Sequence, residues 1–391
     1  MKTQRLDAGF MRLVDAAPLI CAVELGFAEE EGLDLHLHPS PSWSALRDAL
    51  CFGQVDAAHM LAPVPVASAL GLGGCRVDLQ SLSVLSINGN VIGVSREIAR
   101  SMQAAGYDFD FADARAAGNA LIAAKRDGLR IGVPFPFSMH AEMVYYWLSA
   151  LGLPAPQHVI VRTVPPPQMA DAMEAGDIDA FCVGEPWGSR SVETGVAKLL
   201  LPTSAIWSFA PEKVLAVRAD WAAGRPDHAH RLIRALWRAA RWLTTASSVS
   251  LAPEIMSKPQ YLDLPAELLE PALRGRFVIS QGGETRDAPG FAEFFRGSAT
   301  FPWRSQAEWI GRQLAIRTGL DIESSIHAAK ATFRSDLYRS ALEGVVHDLP
   351  SASAKVEGAL PHAAAAGSLD GRLILQPNVF FDGRQFEPLN V

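Results

Sequence analysis

The chain reads as an α/β protein of two similar lobes with a cleft between them. One reason is a phrase written twice, Ala49-Leu50-Cys51-Phe52-Gly53-Gln54-Val55-Asp56-Ala57-Ala58 and Ala172-Met173-Glu174-Ala175-Gly176-Asp177-Ile178-Asp179-Ala180-Phe181. Each copy reads as a helix end, a glycine that stops it, a polar residue, a β-branched residue that opens a strand, and then Asp-Ala. That is the helix-to-strand junction of a parallel sheet. A second reason is the matching order of the flanks, an amphipathic helix before each copy and an apolar strand with a proline turn after it. The third is length, since 391 residues exceed one ordinary core and point to roughly two or three domains. Ligand sites prefer clefts between lobes, and lobes that close on a small molecule turn occupancy into shape.

In chain order, residues 5–11 read as a strand, 16–31 as a helix capped by Asp15, and 33–38 as a strand ended by Pro39. Gly32 sits where a helix C-terminus wants a left-handed residue. Residues 44–52 follow as a helix and 55–59 as a strand, and Ala62-Pro63-Val64-Pro65 turns into a helix through Leu70. This first lobe is a doubly wound βαβαβα unit. Strands at 79–86 and 91–95 flank Asn88-Gly89-Asn90, read as a hairpin or a crossing segment.

The second unit begins near Arg96 and carries a strand at 130–133, a helix at 140–151, a strand at 159–164, the repeat helix at 167–175 and a strand at 178–183. A strand at 214–217 leads back, followed by a helix over 220–243; residues 250–345 read as mostly helical, and the Ala-, Ser- and Pro-rich tail from Leu349 wraps over the lobes. Lobe I therefore takes 1–95 and 214–391, and lobe II takes 96–213.

Hydrophobic residues make up 49% and charged residues 20% of the chain, a globular composition without a tract apolar enough to span a bilayer. The net charge of −7 argues against nucleic acid as a direct partner. Arg231, Arg234, Arg238 and Arg241 make a basic stripe at helical spacing, either a solvated face or a docking face for an acidic partner. The cysteines at 21, 51, 75 and 182 form no C-x-x-C pair and read as reduced and mostly buried. The N-terminus shows no apolar signal region, so the expected location is cytoplasmic.

Enzyme signatures are absent: there is no P-loop, no G-x-G-x-x-G after the first strand, no G-x-S-x-G and no H-E-x-x-H. A binding protein is expected, not an enzyme, and no cofactor or metal is called for. His36-x-His38 and His228-x-His230 lack a third metal ligand nearby and read as surface pairs. Trp43, just before the first repeat helix, His140, opening a helix of lobe II, and Lys213, just before the returning strand, all lie at strand ends or helix starts, where such folds place ligands.

Several motifs carry a family resemblance: Asp15-Ala16-Ala17-Pro18-Leu19, Asp56-Ala57-Ala58-His59 after Gly53, His140, Pro166-Pro167-Gln168-Met169, Phe181-Cys182-Val183-Gly184-Glu185-Pro186-Trp187 and Phe381-Asp382-Gly383. Together, over nearly the whole chain, they resemble the nitrate- and bicarbonate-binding proteins of cyanobacterial ABC transporters (NrtA/CmpA type) and their cytoplasmic nitrate/nitrite sensor branch, NasS. The resemblance implies a C-shaped, periplasmic-binding-protein-like type II fold with an oxyanion in the cleft. By position it places nitrate contacts on Trp43, Asn90, His140 and Lys213. Bicarbonate-binding members carry an acidic residue with calcium where Lys213 stands, so nitrate or nitrite is expected without metal. Asn90 replaces the glutamine of the nitrate binders and leaves room for a bridging water or a smaller anion. In the sensor branch the partner is an RNA-binding, ANTAR-type antiterminator freed by the anion; the alternative is the solute-binding subunit of a nitrate or bicarbonate transporter.

Overall fold

Two mixed sheets organise the chain in the computed structural model, which describes residues 3–368 and 371–389. Met1 and Lys2, part of the N-terminal reading, lie outside them. The strands are β1 (Gln4–Phe10), β2 (Leu33–Pro39), β3 (Ala57–Leu61), β4 (Leu79–Asn88), β5 (Asn90–Ser95), β6 (Arg130–Val133), β7 (Ile160–Thr163), β8 (Ala180–Gly184), β9 (Ala197–Pro202), β10 (Pro211–Arg218), β11 (Arg276–Val278), β12 (Thr285–Asp287) and β13 (Ala292–Glu293). The first sheet runs β2-β1-β3-β10-β4-β13 and the second β7-β6-β8-β5-β9. Their leading five positions follow one pattern: a second strand parallel to both its neighbours, then a strand antiparallel to the third, then one paired antiparallel to that. In each sheet the antiparallel strand is the one by which the chain arrives from the other lobe, β5 after Gly89 and β10 on the return. This is the two-lobed, type II binding-protein architecture with a central cleft.

The segment Asn88-Gly89-Asn90 is a crossing, not a hairpin, because β4 and β5 belong to different sheets. Gly89 takes φ +105°, a backbone that L side chains avoid. The change of sheet at Gly89 lies ahead of the expected boundary at residue 95, and β10, with Lys213, belongs to the first sheet. The two crossings are bonded together: Asn88 donates its amide to the Ala210 carbonyl at 2.9 Å and its side-chain Nδ2 to the Ser208 carbonyl at 2.8 Å.

Four expectations need correction. The helix expected over 16–31 is interrupted: Ala17–Glu24 and Phe27–Glu30 are separate, because Gly26 adopts a left-handed conformation between them. Asp15 does not cap it, and its carboxylate is buried in the cleft instead. The helix expected over 220–243 divides into Ala219–Gly224 and Pro226–Trp242, since the proline ring at 226 cannot continue the preceding turn. Cys51 and Cys75 are joined in a disulfide, with only Cys21 and Cys182 free and buried; their separation of 24 residues gave no motif to read. The fourth concerns the arginine stripe, which is largely neutralised inside the molecule: Arg234 and Arg238 pair with Glu31 at 2.6 and 3.0 Å, Arg238 also meets Glu30 at 2.8 Å, and Arg231 pairs with Asp227.

The C-terminal region straps the lobes together. Arg317, in the helix Arg304–Thr318, pairs with buried Glu142 of lobe II at 2.7 Å. Tyr146 donates to Asp382 of the tail at 2.8 Å, and Lys198 pairs with Glu284 of the β11–β12 hairpin at 2.6 Å. Trp207 stacks near Phe380 and donates its Nε1–H to Asn378 at 2.6 Å, so the tail seats on the second crossing.

Candidate functional site

A closed cluster of polar side chains lies where the two sheets face each other. Asp15 comes from the turn after β1, Trp43 from the first turn of the helix Trp43–Cys51, His59 from β3, and Glu212 and Lys213 from β10. Lobe II contributes Asn90 at the start of β5, His140 in the first turn of the helix Met139–Ala150, and Gly184 at the end of β8. Ser42 and Ser138 cap the two helices, each accepting a backbone N–H at 3.2 Å, which fixes where Trp43 and His140 leave the main chain.

Lys213 anchors the cluster. Its Nζ lies 2.7 Å from Asp15 Oδ2, 2.8 Å from Glu212 Oε1 and 5.5 Å from the Trp43 ring centroid. His59 Nε2 is 3.0 Å from Asp15 Oδ1, and His140 Nδ1 is 3.3 Å from Glu212 Oε1. The rings of Trp43 and His59 stand 5.8 Å apart. A Cβ on Gly184 would sit 3.5 Å from Asn90 Oδ1 and 3.8 Å from Asp15 Oδ2, so this glycine keeps the lobe II wall close to the cluster. All the titratable members are at most 4% exposed.

Burial divides the charges. It favours the neutral form of both imidazoles, and the nearby Lys213 ammonium adds to this at His140, which is held well below the usual histidine range. Burial also favours a neutral Asp15, but Lys213 and the hydrogen bond from His59 outweigh it and hold that carboxyl below the ordinary range. At Glu212 burial prevails over Lys213 and pushes the carboxyl up. Desolvation works against the Lys213 charge, and the two carboxylates more than offset it. The result is a firm ion pair of Asp15 with Lys213, a second contact from Lys213 to a Glu212 carboxyl that burial pushes up, and two neutral imidazoles.

Several polar atoms of the cluster are unsatisfied. Trp43 Nε1, His59 Nδ1 and His140 Nε2 are buried without a hydrogen-bond partner among the described residues, while the Asn90 side chain is directed at Glu212. Buried polar atoms are ordinarily paired, so a concentration of orphans at one place marks a ligand position. Among the described residues no group of three or more His, Cys, Asp or Glu side chains is arranged to hold a metal ion. The histidine pairs of the sequence stand elsewhere, His38 paired with Asp7 and His36 with Asp34.

The nitrate/nitrite binding protein NrtA of Synechococcus elongatus is 30% identical to this chain over 396 residues, covering 98% of the chain and 83% of that protein. A model of the NMT1-like family matches residues 1–257. The chain belongs to the NMT1-like family, in its NrtA/CmpA-type branch. The crystal structure of the periplasmic nitrate-binding protein NrtA from Synechocystis matches with a TM-score of 0.83 at 27% identity, over 99% of this chain and 96% of that one. Against the nitrate import ATP-binding protein NrtC of Synechocystis, identity is 30% over 339 residues, and the chain spans about half, 49%, of that longer protein. The NrtA relatives are solute-binding proteins, not enzymes.

The four residues singled out from the sequence, Trp43, Asn90, His140 and Lys213, lie in one cluster. Sequence reasoning missed Asp15, His59, Glu212 and Gly184. Asp15 was absorbed into a helix cap, and His59 and Gly184 were noticed only as parts of motifs. Glu212 had no signal, because alternation along a strand sends neighbours 212 and 213 to opposite faces. A β-bulge overrides the alternation: Pro211 registers with Ile87 and Lys213 with Ser86, so two steps on β10 match one on β4 and both side chains reach the cleft.

Proposed function

We propose that the chain binds nitrate or nitrite in this cleft and acts as a cytoplasmic sensor that controls an RNA-binding, ANTAR-type antiterminator. The observation that carries the anion reading is the set of buried, unpartnered donors around Lys213. Leaving each unpaired costs about 1–3 kcal/mol, and a small oxyanion presents acceptors to several at once. Trp43, Asn90 and neutral His140 donate to the anion, while Lys213 supplies the positive potential. The name of the NrtA relatives supports the same ligand class. Affinity is expected near micromolar, on the order of −8 kcal/mol. Isothermal titration with nitrate, nitrite and bicarbonate, with and without calcium, tests this. Metal-independent nitrate or nitrite binding is expected, and calcium-dependent bicarbonate binding alone would overturn it.

The sensor role rests on the resemblance to the sensor branch and on straps that make lobe closure felt at the C-terminal region. An anion shifts a protein partner only by its differential affinity for two lobe arrangements, typically about 1–3 kcal/mol, and the partner must weaken anion binding by the same factor. A second reading, the solute-binding subunit of a transporter, is favoured by the Cys51–Cys75 disulfide, a bond that persists in oxidising compartments, and by the transport systems that the relatives' names describe. Co-expression with a candidate regulator and pull-down across a nitrate series separates them. A complex that dissociates with nitrate supports the sensor, whereas no capture at any nitrate level supports transport.

A further inference from the structure

The bulge on β10 gives the cleft two carboxylates for one lysine, and this has a consequence for what the site takes up. Lys213 Nζ is already within 2.8 Å of both Asp15 and Glu212, so its charge is fully engaged before any ligand arrives. With both carboxylates ionised, a monoanion would bring three negative charges against one positive in a site closed to solvent. Unpaired buried charge of that kind is strongly disfavoured. The remaining members give no second cation, since burial holds the imidazoles of His59 and His140 neutral.

We propose that Glu212 is itself a ligand to the oxyanion, meeting it as a neutral carboxylic acid that donates its proton to a ligand oxygen. This rests on the oxyanion reading of the cleft above. The acid–base step balances simply: one solvent proton goes onto a Glu212 carboxylate oxygen as the anion enters, no bond of the anion breaks, and the proton leaves with the anion on release. Asp15 is not placed for this role because each of its oxygens has a partner, Oδ1 with His59 and Oδ2 with Lys213, whereas Lys213 and His140 both meet Glu212 at one oxygen, Oε1. The titratable groups around Glu212 are Asp15 from the turn after β1, His140 from lobe II at 3.3 Å, Cys182 on β8 and Lys213 on its own strand. The Cys182 thiol is pushed well above its usual range by burial and by Glu212, and His140 is held well below its own, which leaves Glu212, pushed up by burial, as the member placed to take up a proton. Glu212 is then the specificity-determining residue: the cleft selects a singly charged oxyanion that accepts a hydrogen bond and has no acidic proton of its own.

The test is nitrate calorimetry on the full chain from about pH 6 to about pH 9.5, in buffers of differing ionisation heat. In wild type the Kd should weaken with rising pH, approaching tenfold per unit at the alkaline end, and the buffer dependence there should report uptake of about one proton. Glu212→Gln keeps a donor but cannot ionise; it should flatten the profile and bind more tightly than wild type at the alkaline end. His140→Asn should lower affinity while keeping the pH dependence. Nitrate binding that is flat across the range without buffer dependence overturns the proposal and leaves the anion reading standing. A pH dependence that survives in Glu212→Gln but vanishes in His140→Asn assigns the proton to the ring and also overturns it. Absence of nitrate binding at every pH removes the anion reading and the proposal together.

Discussion

The aspartate that closes each repeated phrase makes the same two backbone bonds in both lobes. In lobe I the amide of Asp7 donates to Asp56 Oδ2 at 3.1 Å and the amide of Asp56 donates to the Asp7 carbonyl at 2.8 Å. In lobe II the amide of Arg130 donates to Asp179 Oδ2 at 2.9 Å and the amide of Asp179 to the Arg130 carbonyl at 2.8 Å. One junction thus ties β1 to β3 in lobe I and β6 to β8 in lobe II. The surroundings differ: Asp56 also accepts from Trp221 Nε1 and faces a half-exposed Arg225, whereas Asp179 is enclosed by Lys125 and Arg130. Across the cleft the asymmetry is larger. Lobe I brings Asp15, Glu212 and Lys213, while lobe II brings the neutral groups His140, Asn90 and Gly184. Local sequence reproduces a backbone joint, but the electrostatics of each copy is set by whatever the topology lays beside it.

The largest expected effect comes from removing the charge of lobe I. Lys213→Met leaves Asp15 and Glu212 facing each other without a cation, so thermal or urea unfolding should show a loss of about 3–5 kcal/mol, with nitrate binding abolished. Unchanged stability would mean that the carboxylates do not need the lysine.

Next is a contrast in sign between buried acids of the two lobes. Burial raises the Glu185 carboxyl in lobe II to about 7. The stability this contributes is complete below its unfolded value, near pH 4, and is lost as pH rises through 7, a change of about 3 kcal/mol. Asp15 in lobe I is depressed, so its contribution is present above its unfolded value and is lost only as pH falls below that. Glu185→Gln should therefore gain on wild type at about pH 8.5 but not at about pH 5, as read by melting curves at both. An equal effect at both values would show that Glu185 is not held neutral.

A smaller effect separates the twin junctions. Asp179→Asn should cost about 2 kcal/mol, since it removes a charge that Arg130 and Lys125 enclose. Asp56→Asn keeps its acceptor for Trp221 and faces a solvated arginine, so about 0.5–1 kcal/mol is expected. Equal losses would mean that the shared backbone bonds, not the partners, dominate. Smallest in its effect on stability is His140→Asn, which withdraws the ring's donor from the cleft and should weaken nitrate about tenfold with little change in melting temperature. A drop in melting temperature as large as that of Lys213→Met would make the ring structural.

The elements whose signals are short in range were legible. The Gly53 and Gly176 junctions, the strands at 33–38 and 130–133 and the helices that carry Trp43 and His140 follow from periodicity and stop residues, and each is found within a residue or two of where those signals put it. Trp43, Asn90, His140 and Lys213 were named partly from position and partly from the family resemblance, and they meet in the structure although 170 residues separate the first from the last.

What the chain alone determined is where it turns, which faces of its helices and strands are apolar, and that it makes two similar units, because these depend on neighbours a few residues away. Tertiary structure decided the rest. Asp15 became a partner of Lys213 instead of a helix cap, the arginines at 231, 234 and 238 were spent on Asp227, Glu30 and Glu31, Cys51 reached Cys75, and a one-residue slip against β4 turned Glu212 into the cleft. The reason is physical: a charge or thiol takes the partner that the fold brings within a few ångströms, and which one that is depends on strand order and register, neither of which is written in the spacing of residues along the chain.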